Sequence, residues 1–166
     1  MAGHSNTKGN RSFLKTQYTA NKSKGEKLIS AEFKMTFDGY EGLSVLVRTA
    51  QLPEMTREDV EDYGPNGLKF SQHGPIRNSG EMQAQCVETI SGDILQFIKD
   101  RITAKDYVDI TIAATPESNG GDTADATTVY MDDCKIYCDA IDLSTEDVTA
   151  LVRPSLRIVY NWIDWD

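Results

Sequence analysis

Histidine is nearly missing from this chain: His4 and His73 are the only two. His4 lies in a polar N-terminal stretch and His73 precedes Gly74-Pro75, so neither has partners at metal-ligand or general-base spacing on an ordered element. Cysteine is scarce and odd in number, with Cys86, Cys134 and Cys138 alone. An odd set makes a poor disulfide framework. Along an extended segment, Cys134 and Cys138 would stand about 13 Å apart, beyond disulfide reach. Three reduced, mostly buried thiols are expected. No apolar run can span a bilayer, the longest resembling Val45-Leu46-Val47. The N-terminus lacks the apolar centre of a secretory leader, so a soluble chain that folds in the cytoplasm is expected.

Other chemistry is missing too. No Gly-x-Ser-x-Gly occurs, and neither Gly120-Gly121 nor Gly64-Pro65-Asn66-Gly67 runs from a strand into a helix as a phosphate cradle would. The acids Glu54, Glu58, Asp59, Glu61 and Asp62 lack calcium-loop spacing and read as a solvated run. Asp132-Asp133 and Asp164-Trp165-Asp166 set carboxylates beside one another, not across a cleft. The expectation is a protein that is not an enzyme and holds no metal or cofactor.

One further absence is regional. Residues 1–25 contain no acid, yet carry Lys8, Arg11, Lys15, Lys22 and Lys24. That arm is +5; residues 26–166 set the other 12 Lys+Arg against all 26 Asp+Glu, a body of −14 in a chain of −9. An anionic body repels phosphate backbones, which argues against a nucleic-acid-binding surface. A cationic arm on such a body fits a subunit that clasps copies of itself. Its anchors would be Phe13, Leu14 and Tyr18, on a stretch expected to be disordered in isolation.

What remains is β-patterned. Residues 29–37 alternate apolar and polar, Asp38–Gly42 supply turn chemistry, and Leu43–Ala50 form a second run, which together predict a long hairpin. Residues 53–80 are punctuated by Pro53, Pro65 and Pro75 and by four glycines, and read as a contact loop with a capped turn at Thr56–Asp59 and a short strand near Phe70. Glu81–Ile90 reads as a strand. Ser91 is placed to cap a helix whose stripe is Ile94, Leu95, Phe97, Ile98 and Ile102. Tyr107–Ala114, Thr128–Ile141 (kinked near Asp132-Asp133) and Ser155–Trp162 are further strands, with a capped turn at Ser144–Asp147. Phe33, Phe37, Phe70, Phe97, Tyr160 and Trp162 mostly follow core-facing periods. The fold class is mainly β: an antiparallel β-sandwich or barrel of about six strands, one flanking helix and an extended N-terminal arm over residues 1–25.

Several segments together resemble the tail tube protein of contractile-tailed phages. They are Phe37-Asp38-Gly39-Tyr40-Glu41-Gly42-Leu43 running into Val45-Leu46-Val47-Arg48 and Leu52-Pro53; Tyr63-Gly64-Pro65-Asn66-Gly67; the lone helix at Ser91–Ile102; and Cys134-Lys135-Ile136, Asp142-Leu143 and Leu156–Trp162. The likeness lies in the order of elements across residues 26–166. It implies a β-sandwich subunit, related to the type VI secretion tube protein, that forms six-membered rings stacked into a hollow tube within a sheath. The implied role is structural: a tail component of the virion, assembled in the host cytoplasm, that conducts DNA during ejection without binding it specifically. Implied partners are other copies, the sheath protein, and baseplate and terminator proteins at the tube ends.

By its charge, the arm, with Lys8, Arg11, Phe13, Leu14, Lys15, Tyr18, Lys22 and Lys24, would join subunits by bridging anionic neighbours, and it departs from the shortest members of that family. On the resemblance, Glu54, Arg57, Glu58, Asp59, Asp62 and Tyr63 would touch the adjacent ring. Glu32, Thr36, Asp109 and Thr111, on polar strand faces, are candidates for the lumen. The alternatives are a terminator or baseplate ring, a secretion-tube subunit, or a monomeric ligand-binding β-sandwich with an aromatic concave face.

Overall fold

The computed structural model describes residues 8–122 and 124–165, the side chains at 124–126 excepted. His4 and Asp166 fall outside the described residues. The chain divides into an N-terminal unit ending at Ala31 and a body beginning at Glu32.

The N-terminal unit carries helix α1, Arg11–Ser23, where an extended arm was expected. The local reasons are plain. No glycine or proline interrupts residues 10–24. The Asn10 side chain accepts from the Phe13 N–H at 3.0 Å as N-cap. Gly25, at φ 79°, takes the left-handed position that ends the helix, its N–H donating to the Lys22 carbonyl at 3.0 Å.

The body contains β1 (Phe33–Phe37), β2 (Val47–Ala50), β3 (Arg57–Tyr63), β4 (Lys69–Ile76) and β5 (Gly80–Cys86), then helix α2 (Asp93–Ala104). It continues with β6 (Val108–Ala114), β7 (Ala124–Cys138), β8 (Ser155–Tyr160) and β9 (Trp162–Trp165). Seven strands form one antiparallel sheet in the order β1-β6-β7-β8-β5-β2, with β9 also on β7; β3 and β4 pair separately. The antiparallel β class with a flanking helix therefore stands.

The hairpin expected over residues 29–50 does not form. β1 pairs with β6, and β2 pairs with β5. A 3-10 helix, Glu41–Leu46, takes up most of the second run. Its three-residue period brings both Leu43 and Leu46 against the core, which a strand could not do.

The sheet turns a corner at a matched pair of kinks. On β7 the buried residues run Val129, Met131 and then Cys134, Ile136, so the inward parity changes at Asp132-Asp133. Asp133 sits at φ 52°, and Asp109 accepts from its N–H through Oδ1 at 3.0 Å. Opposite, the parity changes between Tyr160 and Ile163, where the Asn161 N–H donates to the Asp132 carbonyl at 3.3 Å and its Nδ2 to the Asp133 carbonyl at 3.0 Å. One inserted residue on each strand bends both together. The kink expected near Asp132-Asp133 is thus present, and one sheet supplies both layers of a sandwich.

Between the layers lie Met35, Phe37, Ile110 and Met131 on one side and Met82, Leu156 and Ile158 on the other, all at most 1% exposed. Helix α2 adds Ile94, Phe97 and Ile98; Ile102, expected on the stripe, is 51% exposed. Ser91 is not the cap. The Glu88 carboxylate accepts from the N–H groups of Ile94 at 3.1 Å and Leu95 at 2.6 Å, placing negative charge at the positive helix end. β5 stops at Cys86, short of the expected Ile90. The Arg101 guanidinium clamps the other end of α2: Nη2 donates to the Tyr40 Oη at 2.6 Å, and the group lies over the Tyr40 and Phe97 rings. Around Ser144, no capped helical turn forms; its Oγ accepts from the Glu146 N–H at 3.3 Å in a bend.

Candidate assembly surfaces

The stretch over residues 53–80 is neither a loop nor the site of a capped helical turn. It is a β-hairpin. β3 and β4 pair from Tyr63↔Lys69 to Arg57↔Ile76. The register slips between Arg57 and Asp59, opposite Gly74-Pro75. Pro75 has no N–H for the ladder, and a Cβ at position 74 would stand 2.8 Å from the Glu58 carbonyl oxygen, so glycine alone permits the approach.

No residue of β3 or β4 is buried. Met55, Val60, Tyr63, Leu68, Phe70 and Ile76 are between 43% and 73% exposed. A two-stranded hairpin with uncovered apolar side chains is marginal in water. The sequence-assigned residues Glu54, Arg57, Glu58, Asp59, Asp62 and Tyr63 are all on or beside this hairpin and exposed. Some of their charge is used internally: Arg77 pairs with Glu58 at 3.3 Å and Glu54 at 3.9 Å, and Arg57 donates to the Gly74 carbonyl at 3.3 Å. The short strand expected near Phe70 is present as β4, whereas the exposed apolar Val60, Leu68 and Phe70 were not among the assigned contact residues. Phe70 and Trp162, taken to follow a core period, are exposed.

A second surface is α1. None of its residues is buried, and Lys8, Arg11, Phe13, Leu14, Lys15, Tyr18, Lys22 and Lys24 are all exposed. At helical spacing Phe13, Leu14 and Tyr18 share one side, with Gln17 and Asn21 between them. A helix of this length is marginal in isolation.

A third surface is the outer face of the β1-β6-β7-β9 layer. Thr36 stands opposite Thr111, Thr111 opposite Tyr130, and Tyr130 opposite Asp164. Asp109 shares that face by alternation, while Glu32 lies just before β1, its carbonyl accepting from the Thr115 N–H at 2.9 Å and its carboxylate from the Glu117 N–H at 3.3 Å. The four lumen candidates therefore belong to one layer, although Asp109 also serves the bulge. The face is acidic. Lost hydration raises the Asp132 carboxyl above its usual range, and neighbouring Asp109, Asp164 and Asp133 raise it further.

Among the described residues, no group of three or more His, Cys, Asp or Glu is arranged to hold a metal. Among the same residues, no helix is long and apolar enough to cross a membrane. The cysteines are unpaired; burial pushes the Cys86 and Cys134 thiols up to about 12.

No protein-family model and no curated relative matches the sequence. The fold does have solved counterparts. A chain of the sheath/tube terminator of PVC, an extracellular contractile injection system, superposes with TM-score 0.67 at 12% identity, over 84% of this chain and 96% of that one. A chain of the PVC sheath-tube complex in the extended state gives 0.63 at 13% identity, over 88% and 95%. A chain of the anti-feeding prophage cap, a tube-terminating cap, gives 0.63 at 14% identity, over 84% and 90%. The fold is therefore shared with chains found in structures of contractile injection systems.

Proposed function

We propose that this chain is a structural subunit of the inner tube of a contractile tail, six copies to a ring and rings stacked into a hollow cylinder. The observation that carries this reading is the β3–β4 hairpin, a separate pair of strands with no buried residue and a row of uncovered apolar side chains. Neighbouring copies would cover it, with Glu54, Arg57, Glu58, Asp59, Asp62 and Tyr63 at the contact between rings. The edges β1 and β2 would find partners around the ring.

The acidic outer face, with Glu32, Thr36, Asp109 and Thr111, would line the lumen. Fixed negative charge offers DNA no phosphate neutralisation, so the genome would pass without sticking. The sheath protein would surround the cylinder, and baseplate and terminator proteins would close its ends in the virion, after assembly in the host cytoplasm. No bond is made or broken in this role.

Electron micrographs of the concentrated, negatively stained protein test the proposal. Annuli and cylinders are the expected result, and single compact particles would refute it. The terminator likeness supports a second reading, a ring that ends the tube. That ring would stop at one layer, whereas a tube subunit grows into filaments.

A further inference from the structure

Between β7 and β8 the chain runs through residues 139–154 without regular structure. A segment of that length inside a small domain usually has a function. Residues 139–152 contain Asp139, Asp142, Glu146 and Asp147 and no Lys or Arg. Their apolar side chains are turned outward: Leu143 is 78% exposed, Val148 90% and Leu151 61%. Asp142, Leu143, Thr145, Asp147 and Leu151 line an open groove of about 440 Å³.

Helix α1 is the complement of this surface. It is cationic where the loop is anionic, it has no acid of its own, and it too leaves every apolar side chain uncovered. The stretch Lys24–Glu32 has neither helix nor strand, and its nine residues reach about 30 Å when extended. We infer that α1 of one copy docks on the 139–152 loop of another copy, with Phe13, Leu14 and Tyr18 over Leu143, Val148 and Leu151 and with Lys15 and Lys22 facing Asp142 and Asp147. The inference rests on the self-assembling reading above and names a receiving surface for the arm. Apolar burial supplies affinity, and opposite charge supplies rate and register.

Two experiments on the full-length chain test it. In the first, K15E/K22E and D142K/D147K are compared with the four-fold variant, all at exposed positions, with folding checked by circular dichroism. Each pair should raise the critical concentration for assembly about tenfold, and the four-fold variant should return to within about threefold of wild type. In the second, differently tagged Leu14→Cys and Leu143→Cys chains, both in a Cys138→Ser background, are mixed and treated with a short bismaleimide. A heterotypic cross-link is expected.

Charge reversals that leave assembly unchanged, or a four-fold variant that shows no recovery, would overturn the inference and leave the tube reading intact. A mixed assembly that forms without the cross-link would do the same. Reversals that spare self-assembly but abolish sheath retention would assign α1 to the sheath and also overturn it. Wild-type protein that stays monomeric at every concentration would overturn both readings.

Discussion

Cys86 and Cys134 show what burial does to a reactive atom. Both thiols are held up at about 12 by lost hydration, with nearby acidic groups adding to it. The raised value favours the neutral thiol in the folded state, so its stabilising effect is full below the unfolded value of 9.0 and is lost as pH rises toward 12. At about pH 8, thiol titration of the native protein should show only slow reaction, led by half-buried Cys138, and denaturation should release three equivalents. The same sign governs Asp132, whose carboxyl is also raised. Asp132→Asn should melt higher than wild type near pH 7 and match it near pH 3, where both side chains are neutral; equal melting at both would contradict the acidic-face account. In the core, Ile158 is fully buried, and Ile158→Ala should cost about 2–5 kcal/mol in urea unfolding.

At the scale of elements, the hairpin and the body should separate experimentally. Val60→Ser with Phe70→Ser alters exposed positions only, so the melting temperature of the dispersed protein should barely move while assembly falls sharply by light scattering. The elements also differ in how plainly the sequence announces them. β1, β6 and β8 bury one face each, so their period-two alternation reads directly, as does the Ile94-Phe97-Ile98 stripe of α2. Partners were harder to infer, because alternation identifies a buried face but not the strand beside it. Residues 41–46 look strand-like until their three-residue spacing is noticed. Of the β3–β4 hairpin only the strand near Phe70 was read, because glycine and proline suggested turns elsewhere and no face was buried to give contrast. Helix α1 was hidden because it has few apolar residues; Asn10 and Gly25 at its ends were the available signal. Glu88 as the cap of α2 was missed because it lies outside the helix it serves.

At the scale of the molecule, charge and sheet topology point the same way. A −14 body carries a +5 arm, β1, β2 and β9 each have one strand neighbour only among the described residues, and the β3–β4 hairpin has no buried residue. The arm and the stretch over residues 53–80 stand out in the sequence because each differs in composition from the rest of the chain, whereas what each surface would meet is not written in that composition. Removing residues 1–24 should leave a folded body with an unchanged near-ultraviolet spectrum but few or short cylinders; tubes of normal length from that truncation would refute the arm's role. The central claim is that identical neighbours complete this β-structure. Hydrogen exchange at residues 57–76, compared between dispersed and assembled protein, tests it most directly. The account predicts fast exchange in the dispersed state and strong protection on assembly, whereas equally fast exchange in both would contradict it.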